Sequence, residues 1–343
     1  MRKFKIVFVV ALVSLFVASF AFATGQKEST TAPGGKVRIA ILVKSLGNSF
    51  FDAVHQGAVQ AAQELGNVDI IYQGPSTPTA EGQISIIDSL IAQKVDAIAI
   101  SANDTDALVP ITKKAMAAGI KVISFDSGIA QEGRILHVAA SSDEFIGRSE
   151  VQILGKMLNY QGEIAILSAT AQATNQNTWI DYMKKELQDP KYANMKLDAV
   201  VYGDDLSDKS YREAMGLFKS YPNLKGIISP TTVGIAATGK ALEDANLSGK
   251  IQLTGLGLPS QMKQYILDGT CQQMELWNPI DLGYTATEIA YQLVKNNTSS
   301  VSQGQSFTAG KMGPLTVGDG NVVVMGNPFV FDKSNIDQFA AIY

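Results

Sequence analysis

The sequence predicts an α/β protein with two doubly wound parallel-sheet lobes that are joined by a multi-stranded hinge. Three observations predict this fold class. Short apolar segments alternate with helical segments of about 10 to 15 residues, as parallel strands with crossover connections require. The alternation runs through one series and then starts again near residue 143. Residues 24–343 remain after a predicted export signal. A chain of this length is longer than a single hydrophobic core usually supports, so two domains are expected.

The N-terminal segment is typical of a secretory signal. Basic residues precede the apolar run Ile6–Phe20, and a small-x-small pattern ends at Ala23. We interpret residues 1–23 as a signal peptide cleaved after Ala23. A membrane anchor is the alternative, but the run is short for a bilayer and small residues end it. Residues 24–35 predict a flexible tether, and the mature protein is expected to be periplasmic.

Charge and cysteine content exclude several classes of protein. Removal of the signal leaves 25 Lys and Arg against 32 Asp and Glu, a net charge of −7, so we expect no nucleic-acid partner. Cys271 is the only cysteine, which excludes an intramolecular disulfide. Thr24 stands where a lipoprotein needs its lipid-bearing cysteine. We interpret Cys271 as a buried structural thiol.

The first series predicts five buried strands. Each is apolar enough for a parallel strand covered on both faces. They are Val37–Val43, Val68–Tyr72, Ala97–Ile100, Val122–Phe125 and Ile135–Val138. A helix with an apolar stripe at 3.6-residue spacing follows each of the first three strands. Asn48 or Ser49 can cap the first of these helices.

The second series predicts a further helix, Asp143–Leu158, and then more strand and helix pairs. The strands are Glu163–Leu167, Leu197–Tyr202, Gly226–Ser229, Ile251–Thr254 and Gln272–Leu276. Helices separate them, and Ile280–Lys295 is the last long helix. The glycine-rich tail beyond it is too irregular for another unit and is expected to cross between lobes. We predict a first lobe of residues 36–140 plus 279–308 and a second of 141–278 plus 309–343.

Ligands of open parallel sheets sit beyond the carboxyl ends of the strands. Polar and aromatic side chains follow these ends: Lys44, Asn48, Phe50, Asn103, Asp126, Asn175, Gln176, Asp204, Asp205, Pro230, Thr232 and Trp277. Amides, hydroxyls, a few carboxylates, one lysine and aromatic rings are what a neutral polyol needs. Such a site lies between two lobes that close on the ligand by a hinge motion.

Several of these residues have simpler structural interpretations. Asp126 can cap a turn, and Asp204 and Asp205 can cap the next helix. Phe50 and Phe51 are neighbours on a helix and point about 100° apart, so we assign Phe51 to the core and Phe50 to the cleft. Trp179 is also interpreted as helix core. A lysine that ends a buried strand, as Lys44 does, needs a partner or a ligand.

An enzyme is disfavoured by the same residues. His55 and His137 are the only histidines, and they belong to a helix and a strand, so a metal cluster or a Ser-His-Asp triad is hard to build. Neither a phosphate-binding loop nor a dinucleotide-binding glycine motif follows the first strand. We expect no catalytic residue, no metal and no cofactor.

Six segments carry a resemblance to a known family. They are 44–51, 101–104, 126–128, 173–179, 230–234 and 277–283. Over residues 36–343 the chain resembles the class I periplasmic sugar-binding proteins of the ribose-binding type. More closely, it is similar to the rhamnose-binding receptors and the related autoinducer-2 receptors. The resemblance implies a monomer that clamps a sugar between its lobes and delivers it to the permease of an ABC importer.

The resemblance also implies residue roles. Four positions match the autoinducer-2 receptors: Lys44, Asp126, Gln176 and Pro230. Asn175 stands where those receptors have Asp, and Thr232 where they have Ala, and both changes resemble the rhamnose receptors. A deoxysugar such as L-rhamnose is therefore the expected ligand. Lys44, Asp126, Asn175 and Gln176 would bind hydroxyls, Phe50 and Trp277 would supply aromatic faces, and Pro230 and Thr232 would line the wall.

Three alternatives stay open at this point. An autoinducer-2 receptor has the same fold and shares most of the predicted site. A chemosensory sugar receptor has the same sequence features as a transport receptor. A LacI-like regulator shares the core fold but needs a DNA-binding headpiece, and residues 1–35 are interpreted as signal and tether instead.

Overall fold

Two series of strands and helices follow one another in the residues that the computed structural model describes, 35–343. The predicted signal peptide, residues 1–23, and the tether up to residue 34 lie outside the described residues. Residues 36–343 fold as one compact unit. No helix within the described residues is long and apolar enough to span a bilayer.

Fourteen strands lie within residues 35–343. They are β1 (Val37–Leu42), β2 (Val68–Gln73), β3 (Ala97–Ile100), β4 (Lys121–Phe125), β5 (His137–Ala139), β6 (Gln161–Ser168), β7 (Asn194–Tyr202), β8 (Leu224–Ser229), β9 (Gln252–Gly255), β10 (Met274–Leu276), β11 (Ser306–Thr308), β12 (Pro314–Thr316), β13 (Val322–Val324) and β14 (Phe329–Phe331). Most of the predicted strands are confirmed to within two or three residues at each end.

Ten α-helices connect them in the same part of the chain. They are α1 (Ser49–Leu65), α2 (Ala80–Ala92), α3 (Val109–Ala117), α4 (Asp143–Met157), α5 (Thr174–Glu186), α6 (Ser207–Ser220), α7 (Thr232–Asp244), α8 (Pro259–Asp268), α9 (Pro279–Lys295) and α10 (Ile336–Phe339). The predicted helices from Asp143, Ser207 and Ile280 all form.

The first sheet has six parallel strands in the order β13-β5-β4-β3-β1-β2. The chain enters at β1 and winds first to one side and then to the other, which is the doubly wound topology. Ile39 and Ile41 of β1 pack into one hydrophobic cluster, and Ala40 and Leu42 pack into the other. Burial on both faces explains why the strand is continuously apolar.

The second sheet repeats this plan with four parallel strands in the order β7-β6-β8-β9. A parallel bridge between Leu256 and Glu275 attaches β10, and β14 pairs antiparallel with β10. Cys271, just before β10, is fully buried, and burial raises the pKa of its thiol to about 12. The fold class and the buried structural cysteine are both confirmed.

The chain passes between the two sheets three times. The passages are residues 140–142 between β5 and α4, 277–278 between β10 and α9, and 325–328 between β13 and β14. After the second passage α9 packs on α1, where Gly57 approaches the Ile280 carbonyl and Gly283 approaches the Val54 carbonyl. The two sheets are therefore joined by three chain segments.

One predicted boundary differs from the strand pairing. The sequence pattern predicts residues 309–343 in the second lobe, but Val322–Val324 pair in parallel with His137–Ala139 of the first sheet. Three valines complete the edge of that sheet beside β5, and sequence pattern alone cannot choose the partner of so short a strand. We therefore propose a first lobe of residues 36–139 plus 279–324, with the third passage after Val324.

Candidate functional site

The carboxyl ends of the two sheets border a common cavity with about 40 Å³ of space for water-sized molecules. All eight residues predicted for the site line it: Lys44, Phe50, Asp126, Asn175, Gln176, Pro230, Thr232 and Trp277. The structure brings these residues together, and their part in binding stays a prediction.

A polar network joins the two lobes at one end of the cavity. The Lys44 ammonium donates to Asn175 Oδ1 at 3.0 Å, and Asn175 Nδ2 donates to Asp126 Oδ1 at 3.3 Å. Ser101 Oγ donates to Asp126 Oδ2 at 2.6 Å. Lys44 is only 4% exposed and Asn175 5% exposed, so both polar groups are removed from bulk water. The partner that Lys44 needs is therefore an amide oxygen of the opposite lobe.

Asp126 is held in an unusual backbone conformation at this end. Its φ is +56°, in the left-handed region that Asp and Asn tolerate better than other non-glycine residues. Burial raises the pKa of its carboxyl group, while the Lys44 ammonium and hydrogen bonds from Ser101 and Asn175 oppose the rise. The Asp126 side chain thus lines the cavity and accepts a hydrogen bond from the opposite lobe, and it does not act only as a turn cap.

Gln176 is oriented by its own lobe. Its Oε1 accepts from Ser168 Oγ at 3.2 Å and from the Ala169 backbone N–H at 3.0 Å. With the oxygen engaged, the amino group is what Gln176 can offer to a ligand. Gln176 and Asn175 stand in the first turn of α5, where the Gln176 N–H also donates to Asn175 Oδ1 at 2.9 Å.

Four aromatic side chains form an apolar corner of the same cavity. Phe50 and Phe51 meet edge to face with ring centroids 5.2 Å apart. Trp277 lies between Phe50, at 6.2 Å, and Trp179, at 5.9 Å. Asn48 Oδ1 accepts from the Phe50 backbone N–H at 3.0 Å, which caps α1 as predicted and holds Phe50 at the helix start.

Two core assignments within this apolar corner were incomplete. Phe51 and Trp179 were interpreted as helix core, and both are nearly fully buried, but both also line the cavity. A helix has the same spacing of apolar residues whether its apolar face packs against a core or lines a dry ligand cavity. Helical spacing therefore cannot distinguish a core residue from a cavity residue. Both neighbouring phenylalanines line the cavity, despite their separation of about 100° around the helix, and their rings meet edge to face.

Asp205 is a cavity residue that sequence reasoning left as a helix cap. It follows β7 in a turn in which Asp204 and Asp205 have φ of +54° and +51°. Thr231 Oγ1 donates to its Oδ1. Burial raises the pKa of Asp205, and the Lys44 ammonium is the main opposing influence. The position of Asp205 after a strand was the one feature of the sequence that could indicate a cavity residue. The turn with two positive φ angles could not be predicted from the sequence.

The remaining lining residues are Asn48, Thr231, Leu256 and Leu276. Neither histidine of the chain lines the cavity: His55 stacks on Tyr72 at 4.2 Å, and His137 pairs with Ser124 Oγ at 2.9 Å. One lysine, two carboxylates, three amides and an aromatic corner can bind a small hydroxylated ring. The fold and the cavity together define a two-lobed ligand-binding protein.

Comparison with known proteins places the chain in a family. The model of the periplasmic binding protein domain matches residues 39–298, and the chain belongs to that family. An ABC transporter solute binding protein from Clostridium phytofermentas with bound L-rhamnose is 39% identical, with a TM-score of 0.86 over 90% of this chain and 100% of that one. The chain is accordingly a binding protein and not an enzyme.

More distant relatives share the same architecture. The D-ribose/D-allose-binding protein of Pseudomonas aeruginosa is 26% identical over 243 residues, which are 68% of this chain and 75% of that protein. LsrB from Clostridium saccharobutylicum in complex with AI-2 is 22% identical, with a TM-score of 0.83 over 88% of this chain and 99% of that one. At that identity the match shows the fold alone.

Proposed function

We propose that this protein is the periplasmic receptor of an ABC importer, and that it captures L-rhamnose or a similar deoxysugar between its two lobes. The sugar would pass from the closed receptor to the importer's permease, and the receptor would act as an exported monomer. The observation that carries the proposal is the division of one small cavity into a polar network and an aromatic corner.

The polar network supports a neutral, hydroxylated ligand. An ionised carboxylate offers about four lone-pair positions, and Ser101 and Asn175 use two of those on Asp126. The remaining positions can accept hydroxyl protons. The ammonium of Lys44 and the amino group of Gln176 can donate to hydroxyl oxygens. Asp126 and Asp205 outnumber the single lysine, which disfavours an anionic sugar acid.

The aromatic corner supports a sugar with one apolar end. Phe50, Trp179 and Trp277 meet there, and Leu276 also lines the cavity. A hydroxyl group among these rings would be desolvated without a full set of partners, at a cost of roughly 1–3 kcal/mol. A methyl group in place of a hydroxymethyl group avoids that cost. This favours a 6-deoxysugar over the corresponding hexose.

The relative with bound L-rhamnose supports the same choice of ligand, since it is 39% identical over nearly the whole chain. Asn175 and Thr232, where the autoinducer-2 receptors have Asp and Ala, point in the same direction. At Asn175 an amide replaces a carboxylate, and its oxygen accepts from Lys44 while its amino group donates to Asp126. The two ends of the amide therefore match their partners on the opposite lobe.

A thermal-shift panel tests the proposed ligand. The mature chain is melted with L-rhamnose, L-fucose, D-ribose, D-allose, D-xylose and autoinducer-2, each at several concentrations. A ligand present at 100 times its Kd adds about 2.7 kcal/mol to the free energy of unfolding. At about 2–4 °C per kcal/mol, L-rhamnose is expected to raise Tm by about 5–11 °C.

The other sugars of the panel serve as controls. Ribose and xylose lack the sixth carbon, and allose carries a hydroxyl group on it, so each is expected to shift Tm less than rhamnose at equal concentration. A shift with autoinducer-2 and none with rhamnose would overturn the proposal in favour of a signal receptor.

A further inference from the structure

The chain has two tryptophans, and their indole N–H groups differ. Trp179 Nε1 donates to Asp143 Oδ1 at 2.7 Å. Trp277 Nε1 is buried and has no hydrogen-bond partner among the described residues. The Trp277 side chain is 6% exposed and lines the cavity. The two rings are neighbours, yet only one of them has its donor satisfied by the protein.

An unpartnered buried donor needs an explanation. More than nine in ten buried polar groups in proteins have a hydrogen-bond partner. A buried polar group without a partner lowers the stability of the protein by about as much as the loss of a hydrogen bond. The rings that Trp277 contacts, Phe50 and Trp179, cannot accept a conventional hydrogen bond. Trp277 borders the cavity, so we infer that its acceptor is an atom of the bound ligand.

The chemistry of the indole group limits which ligand atom this is. An indole N–H can donate a hydrogen bond but cannot accept one. Its best partner is therefore an oxygen that carries no proton of its own. The ring oxygen of a pyranose is such an atom. A hydroxyl oxygen in the same place would bring a proton of its own, and the surrounding rings give that proton no strong acceptor. In a 6-deoxypyranose, C5 carries both the ring oxygen and the methyl group.

We propose that Trp277 donates a hydrogen bond to the ring oxygen of the bound sugar. This inference rests on the proposed function, because it takes a deoxysugar as the ligand. The methyl group then packs against the aromatic corner, and the hydroxyl groups on the opposite edge of the ring reach Lys44, Asp126 and Asn175.

Nuclear magnetic resonance tests the inference on the unmodified protein. In ¹⁵N-labelled mature chain the two tryptophans give two indole N–H signals, and Trp179→Phe assigns them by removing one. On addition of L-rhamnose the Trp277 signal is expected to move downfield and to exchange more slowly with solvent. The Trp179 signal should move less, since its N–H keeps Asp143 as acceptor.

A ligand analogue tests the acceptor atom. In 5a-carba-L-rhamnose a CH₂ group replaces the ring oxygen, and calorimetry compares its Kd with that of L-rhamnose. Loss of one hydrogen bond to a buried donor is expected to weaken binding by about 5- to 150-fold. In Trp277→Phe, which has no N–H, the ratio of the two Kd values should fall towards one.

The outcomes separate this inference from the proposed function. If L-rhamnose does not bind at all, the proposed function fails and the role of Trp277 fails with it. If L-rhamnose binds while the Trp277 signal stays unshifted and the carba analogue binds equally well, only the inference is overturned. A ratio that stays high in Trp277→Phe would assign the ring oxygen to another donor and would also overturn it.

Discussion

Replacing Asp126 by asparagine is expected to weaken rhamnose binding on the order of 30- to 4,000-fold. Removing one charged partner from a buried hydrogen-bonded set typically costs about 2–5 kcal/mol of binding free energy. The carboxylate accepts from Ser101 and Asn175, and its remaining lone pairs are available to a ligand in the cavity. In Asp126→Asn an amino group replaces one of the two carboxylate oxygens. That amino group would face a donor from which the oxygen accepted a hydrogen bond.

The same substitution is expected to change the stability of the apo protein by less than it changes rhamnose binding. Burial raises the pKa of Asp126, so the charged form costs folding free energy at neutral pH, and a neutral amide removes that cost. Asparagine also tolerates the φ of +56°, whereas alanine would add backbone strain. Titration calorimetry and urea denaturation measure the two effects separately.

Asp204→Asn is the matched control for Asp126. Asp204 also has a positive φ, of +54°, but its side chain is 39% exposed and pairs with Lys209 outside the cavity. The control should bind rhamnose with nearly the wild-type Kd. If Asp126→Asn bound as tightly as this control, Asp126 would be a turn residue and the polar half of the site would need reassignment.

Adding one methyl group at Gly57 or Gly283 is expected to destabilise the protein by about 1–3 kcal/mol or more. A Cβ at Gly57 would lie 1.8 Å from the Ile280 carbonyl oxygen, and one at Gly283 would lie 1.9 Å from that of Val54. Both contacts are with backbone, so α1 and α9 would have to separate. We expect Gly57→Ala and Gly283→Ala to lower the free energy of unfolding in urea.

This helix contact also bears on the site. Phe50 and Phe51 stand at the start of α1, and Trp277 stands two residues before α9 begins. Separation of the helices would loosen the contact between Phe50 and Trp277, so a weaker rhamnose affinity is expected along with the lower stability. Gly216→Ala in α6 is the control, because nothing lies within 4 Å of a Cβ there.

The control should behave in the opposite way. Gly216 is exposed within a helix, where alanine is more stable than glycine by about 0.5–1 kcal/mol. A small gain in the free energy of unfolding for Gly216→Ala, beside large losses for Gly57→Ala and Gly283→Ala, would establish the close contact between α1 and α9. Wild-type stability in Gly57→Ala would mean that α1 and α9 are not in backbone contact.

The fold and most of the cavity lining could be predicted because both follow from local pattern plus one topological rule. Apolar strands and amphipathic helices mark the lobes, and parallel sheets present their carboxyl ends to a ligand. Lys44, Asp126 and Pro230 all follow strands, so the rule alone placed them at the same opening. The structure brings them to one cavity.

What could not be predicted depends on contacts between distant parts of the chain. Helical spacing shows that Trp179 is buried but not that it also meets Trp277 at a cavity wall. Asp205 lines the cavity and belongs to a turn with two successive positive φ angles, which composition does not reveal. The pairing of Val322–Val324 with β5 joins segments 185 residues apart, and a three-residue strand carries too little pattern to select its partner.

The measurement that tests the central proposal most directly is a crystal structure of the mature chain grown with L-rhamnose. We expect one pyranose ring in the cavity, with its hydroxyl groups on Asp126 and Asn175 and its methyl group against Phe50 and Trp277. The ring oxygen should lie within hydrogen-bond distance of Trp277 Nε1. A sugar bound outside this cavity, or one whose hydroxyl groups face the aromatic rings, would contradict the proposed function.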